Sequence, residues 1–307
     1  MRRLSTSAMA VVAALLFGVA GAAEGGLLIY EGWDYTPGDT DPANWTGGAG
    51  FDAGSSWVNQ RGHSTGTIVA ALDFSDYDDT FGTGGALSAS ASGNSDTFHR
   101  AVDVARTGAD GPTWAAFLFR FGQYTSSSFN NQHGYLHFAP AAPDGNINGT
   151  SSDLGDLVAA PQRRQGGDDN VRVGVGGGDT GAAFAVTGDT SVHLFVVRWT
   201  DETADGDYDR AEMWVMSAAD YDAAKAGGVT AADLGAHHRA HVVDTTGTGS
   251  MALEDLLQIQ LRRYGFAIDE IQYGSSLADL NGFAPEPATL CLVALGGLAM
   301  VAARRRR

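Results

Sequence analysis

Between Leu27 and Tyr273 short apolar or alternating runs recur, each cut off by Gly, Asp, Asn or Pro, and strand pattern never alternates regularly with helix pattern. Trp114 to Phe121 is apolar throughout except for Arg120, as in a central strand of a sandwich. Leu257, Ile259 and Leu261 alternate with Gln258, Gln260 and Arg262, which predicts a strand with one wet face. Ala86 to Ser92, Tyr135 to Phe138, Val171 to Val175 and Ala267 to Tyr273 add further strands. Val192 to Trp199 and Ala211 to Met216 form a hairpin around an acidic loop, Asp201 to Asp209. Helical pattern is confined to Ala218 to Ala226 and Thr230 to His237, each too short to build a layer. The expected fold is mainly β, an antiparallel β-sandwich.

Composition agrees where it bears on this. Aspartate outnumbers glutamate 29 to 7, and there are 42 glycines, a bias toward turns over helix interiors. The single cysteine, Cys291, lies near the C-terminus in an apolar run, so the body before it has no disulfide of its own. About 260 residues suffice for one core.

The two ends differ from the body. Residues 1–23 carry Arg2 and Arg3, an apolar stretch from Ala8 to Ala20, and small residues up to Ala23, the layout of a cleavable signal peptide. At the other end Pro285, Glu286 and Pro287 precede an apolar run, residues 288–303, and then Arg304, Arg305, Arg306 and Arg307. As a helix, that run would reach about 24 Å at roughly 1.5 Å per residue, a short transmembrane span. The arginines would stay cytoplasmic and place the body across the membrane. The expected domains are therefore a signal peptide (1–23), an extracytoplasmic sandwich (24–284) and a terminal segment (285–307). The body alone holds 13 Lys+Arg against 35 Asp+Glu, net −22, a charge that excludes nucleic acid as a partner.

The order Pro285-Glu286-Pro287, short span, Arg304 to Arg307 resembles the PEP-CTERM sorting signal of bacterial exported proteins. That resemblance implies processing by signal peptidase and an exosortase, a membrane anchor before processing, and delivery to the cell surface or extracellular matrix. A second resemblance covers roughly residues 27–280. The opening Leu28-Ile29-Tyr30-Glu31-Gly32-Trp33-Asp34-Tyr35 and the closing Ile268-Asp269-Glu270-Ile271-Gln272-Tyr273-Gly274 look like a laminin-G-like or concanavalin A-like jelly roll.

Several groups are candidate sites. Asp201, Asp205, Asp207 and Asp209 are a candidate Ca²⁺ cage, against the alternative of a solvated turn rich in Asp. Trp33, Trp45 and Trp57 lie among glycines, where indole rings could stack on a sugar; Trp114, Trp199 and Trp214 belong to core strands. Gly62-His63-Ser64-Thr65-Gly66 matches a nucleophile elbow but lacks the parallel-sheet scaffold that strains such a turn. His237 and His241 would share a helix face if that segment were helical, a Zn²⁺-binding spacing without an evident third ligand. Glu212 and Glu270 are strand acids that could face a groove, yet the Glu-x-Asp-x-x-Glu strand of catalytic concanavalin-like proteins is missing. No catalytic set is complete. The reading is a non-catalytic surface or matrix protein that binds polysaccharide, with a polysaccharide-acting hydrolase or a purely structural coat protein as alternatives.

Overall fold

The computed structural model describes residues 26–59, 66–74, 85–88, 95–121, 132–139, 157–163, 169–175, 178–183, 191–225, 229, 231–243, 252–253, 255–262, 266–280 and 283. The expected signal peptide and the apolar run 288–303 lie outside these residues, as does Ser64. Among the described residues no helix is long and apolar enough to cross a membrane.

In chain order the strands are β1 (Leu27–Glu31), β2 (Val58–Asn59), β3 (Thr67–Ala70), β4 (Gly85–Ser88), β5 (Ser95–Ala101), β6 (Arg106–Thr107), β7 (Thr113–Arg120) and β8 (Gln132–Ala139). They continue with β9 (Leu157–Arg163), β10 (Asp169–Val175), β11 (Gly178–Ala183), β12 (Val192–Thr200), β13 (Arg210–Met216), β14 (His238–Val243), β15 (Ala252–Leu253), β16 (Leu256–Arg262) and β17 (Ala267–Gly274). Two short helices, α1 (Ala218–Lys225) and α2 (Ala231–Leu234), fall inside the predicted helical segments.

Two antiparallel sheets form the sandwich. An eight-stranded sheet runs β14-β13-β12-β7-β17-β4-β3 with β1 added on β17, and a seven-stranded sheet runs β11-β10-β9-β8-β16-β5-β2. Neighbours far apart in sequence, such as β7 beside β17 and β5 beside β16, give the crossovers of a jelly roll. Inward residues of both sheets, among them Phe117, Phe195, Trp199, Leu136, Val173 and Ile259, merge into one apolar cluster.

Strand β7 is apolar at nearly every position because its sheet is buried on both faces. Ala115, Phe117 and Phe119 enter the cluster between the sheets. Trp114, Ala116 and Leu118 enter a second cluster on the outside, roofed by Tyr221 of α1, Leu234 of α2, Leu72, Phe74, Leu280 and Phe283. The short helices therefore roof one sheet without forming a layer that could stand alone.

The opening and closing motifs meet in space, because β1 pairs with β17, Glu31 opposite Ile271. The Glu31 carboxylate, 1% exposed, accepts from Trp57 Nε1 (2.8 Å), the Trp33 amide (3.0 Å), Tyr35 Oη (3.3 Å) and Arg100 Nη1 (3.3 Å). Arg100 belongs to the other sheet and lies 4.1 Å above the Phe51 ring, so this ion pair ties the two sheets together at one end of the core.

Candidate functional site

Alternation along β5, β16 and β8 sends Phe98, Leu257, Ile259, Leu136 and Phe138 into the core. The residues between them face the other way, and the register lines them up across three strands. His99, Gln258 and His137 form one row; Thr97, Gln260 and Tyr135 form the next. Directly opposed Cβ atoms in a sheet are about 4.5–5.5 Å apart, and successive rows about 7 Å, so six polar side chains share one compact patch.

This patch differs from the expected wet face, because its centre is shut off from solvent. Gln258 and Gln260 are 0% exposed, Thr97 and His137 1%, and Tyr135 2%. Exposure rises toward β2, where His99 is half-buried and Val58, opposite it in register, is 47% exposed. The patch is closed to solvent at its centre and partly exposed at His99.

Its chemistry is neutral. Gln260 Nε2 donates to Thr97 Oγ1 (3.4 Å), while Gln260 Oε1 and His99 Nδ1 have no hydrogen-bond partner among the described residues. Burial lowers the pKa of His99, and it pushes that of His137 down to about 4, so both imidazoles are uncharged at neutral pH. Amide, imidazole and hydroxyl groups both donate and accept, the complement of a polyhydroxylated ligand. Two residues beyond Gln258 and His99, Leu256 and Ala101 continue the same face and help line a cleft of about 540 Å³ with Val102, Asp52, Asp103 and Asp255. All three aspartates are exposed.

The residues singled out from sequence sit elsewhere. Trp33, Trp45 and Trp57 are 0%, 0% and 1% exposed, so none has a ring face to offer a sugar. They pack on one another, with Trp33 edge-on to Trp45 at 5.9 Å and tilted on Trp57 at 5.1 Å. The expectation of stacking is corrected: glycine-rich surroundings let these rings close together, each burying a large apolar area.

The acidic loop also builds something other than a Ca²⁺ cage. Asp201 accepts from the amides of Ala204 (2.6 Å) and Gly206 (2.8 Å), Asp209 from those of Glu202 and Thr203 (both 2.8 Å), and Asp205 from that of Asp207 (3.0 Å). Among the described residues no three acidic, His or Cys groups are placed to hold a metal, which corrects the assignment of Asp201, Asp205, Asp207 and Asp209 as ligands. Asp favours tight turns because its short carboxylate reaches nearby backbone amides. Asp209→Ala should therefore cost about 2 kcal/mol, from two charge-assisted bonds at a buried site. Thermal unfolding of the parent in Ca²⁺ and in EDTA should give the same midpoint; a shift of several degrees with Ca²⁺ would restore the cage.

Glu212 accepts from Arg198 Nε (3.0 Å) and Arg210 Nη2 (2.9 Å). Burial pushes its pKa up, but the two guanidiniums win and hold it below the usual carboxylate range, so it carries no proton to donate as a general acid. Arg198 is itself parked over Trp114 and Trp214, at 5.3 and 5.7 Å. Glu270 is buried at a bulge in β17 with φ 50° and accepts from Tyr30 Oη at 3.0 Å. His237 ends a 3₁₀ turn and His238 begins β14, so His237 and His241 do not share a helix face.

Residues 284–307 match the PEP-CTERM protein-sorting motif. No curated protein matches the chain. Among solved structures, the chain is similar to the T. cruzi calreticulin globular domain, at 12% identity, TM-score 0.47, covering 91% of this chain and 96% of that one. It is similar to a protein of unknown function with a galectin-like fold from Bacillus subtilis, at 10% identity, TM-score 0.42, covering 82% and 97%. A third similarity is to winged bean acidic lectin complexed with methyl-α-D-galactose, at 10% identity, TM-score 0.40, covering 80% and 97%.

Proposed function

We propose that this chain is a non-catalytic, glycan-binding protein of the bacterial cell surface or extracellular matrix, exported by its N-terminal segment and sorted through its PEP-CTERM motif. Signal peptidase acts on residues 1–23, and an exosortase reads residues 284–307. The observation that carries the binding role is the neutral polar patch of Thr97, His99, Tyr135, His137, Gln258 and Gln260 across β5, β16 and β8. Gln260 Oε1 and His99 Nδ1 have no hydrogen-bond partner among the described residues, and a sugar hydroxyl can pair with either. The ionised Glu212 and the hydrogen-bonded Glu270 favour this reading over hydrolysis.

The test is a glycan array probed with the full-length chain in a detergent without a sugar headgroup, followed by a reducing-sugar assay on every glycan bound. Binding without sugar release is expected, and Gln260→Ala should weaken it about tenfold, the effect of losing one or two buried hydrogen bonds. Sugar release would make the protein a hydrolase, and an empty array would leave a structural coat protein.

A further inference from the structure

We infer that Leu280 and Phe283 form a latch that holds the start of the sorting signal against the folded body, so that an enzyme cuts the signal only when the latch opens; this rests on the sorting role proposed above. Strand β17 ends at Gly274, and the chain after it folds back on the strand end. Leu277–Asp279 form one 3₁₀ turn, held by the Asp279 carboxylate, which accepts from Ser275 Oγ and the Ser276 amide, both at 2.7 Å. A Cβ on Gly274 would stand 2.8 Å from Cβ of Asp279 and 3.2 Å from Leu280 Cδ2, so only glycine lets the turn lie this close. Beyond the turn Leu280 and Phe283 are 0% and 3% exposed and complete the outer apolar roof of the eight-stranded sheet. The Phe283 ring stands edge-on to Tyr221 of α1 at 6.5 Å, and the Phe283 amide donates to the Leu280 carbonyl at 3.2 Å.

The sorting motif begins immediately after this docked ring, with its first matched residue at 284. Pro285 follows Phe283 by two residues, and a chain spans at most about 3.6 Å per residue, so Pro285 stays within about 7 Å of the Phe283 Cα. An enzyme that cleaves a peptide bond has to enclose the chain around it, and a segment tied to a folded surface is cut through its transiently open population. While Phe283 is docked, the first residues of the motif lack slack on their N-terminal side. The cut breaks one peptide bond, the carbonyl carbon passing to water or an amine and the nitrogen leaving with a proton. The latch takes no part in that chemistry; it sets how often the bond is offered.

The test compares four full-length forms: the parent, Phe283→Ala, Gly274→Ala, and a form with Gly-Ser-Gly-Ser-Gly inserted between Phe283 and Ala284. Each is expressed in cells that carry an exosortase, and the rate at which precursor becomes cut product is followed by pulse-chase. Hydrogen exchange at the amides of residues 280 and 283 in each purified precursor reads the opening of the latch. Losing a buried phenyl ring, or forcing Gly274 and Asp279 apart, shifts such an opening about tenfold. Both substituted forms should therefore exchange and be cut about tenfold faster than the parent. The linker should raise the cutting rate by about as much with exchange unchanged, because it gives the motif slack and leaves every latch contact in place. Equal cutting of the linker form and the parent overturns the inference and leaves the sorting role standing. So does faster exchange in the two substituted forms with no gain in cutting. Exchange as fast in the parent as in those forms shows that Phe283 is undocked and overturns the inference as well. No cut in any form overturns both the latch and the sorting role.

Discussion

Arg100→Ala is expected to lower the stability of the fold by about 3–5 kcal/mol, the usual cost of removing one partner of a buried ion pair. Arg100 and Glu31 are 4% and 1% exposed and belong to opposite sheets. Without the guanidinium, Glu31 keeps its place among Trp33, Trp57 and Tyr35 but loses the cation paired with it, and the carbonyls of Thr46 and Gly47 lose their donor. Burial already pushes the Glu31 carboxyl above the usual range, against the pull of its donors. Removing Arg100 raises it further, so the penalty should be larger at pH 7 than at pH 5, where protonation relieves the stranded charge. Urea unfolding at the two pH values measures this. Glu31→Gln/Arg100→Met, which removes both charges, should recover more than half of the loss. A loss under about 1 kcal/mol at pH 7 would mean that the pair does not join the sheets.

The second large effect is a dependence on pH through His137. In the unfolded chain its imidazole binds a proton below about 6.5; buried in the folded sheet it does so only below about 4. Between those values the unfolded state holds more protons, so stability falls as the solution is acidified through this window. The full difference amounts to about 3 kcal/mol once the pH is below 4. His99 adds a contribution of the same sign, because burial lowers its pKa too. Glu31 works in the opposite direction: its raised pKa gives stability that is present at low pH and lost as the pH rises. The measurement is therefore the difference between the parent and His137→Gln from pH 8 to pH 4. The parent should lose about 3 kcal/mol more than the variant, and parallel curves would show that His137 is solvated in the folded protein.

Much of the architecture is legible along the chain. The two-residue period of β16, the continuous apolar run of β7 and the shortness of the helical segments already specify an antiparallel sandwich, because period and length are local properties that burial must obey. The order of Pro285-Glu286-Pro287, apolar run and arginines is local too, and residues 284–307 match the sorting motif. The uses of single residues are less legible. An aspartate in a turn looks the same whether it binds Ca²⁺ or a backbone amide, and the amides in the Asp201 to Asp209 loop lie within reach of its carboxylates. A tryptophan among glycines looks the same exposed or packed, and only the meeting of Trp33, Trp45 and Trp57 decides it.

The polar patch was invisible for a stronger reason. Gln258 and Gln260 stand out in the alternation of β16, but Thr97 and His99 lie about 160 residues before them and Tyr135 and His137 about 120. Nothing local tells β16 that β5 and β8 will be its neighbours, or that its outward side will be closed to water. Sequence alone determined the sandwich, the acidic body and the sorting signal, which depend on composition and short-range periodicity. Tertiary structure alone decided which polar side chains stand together and which are buried, because register between distant strands is set by the packing of the whole core.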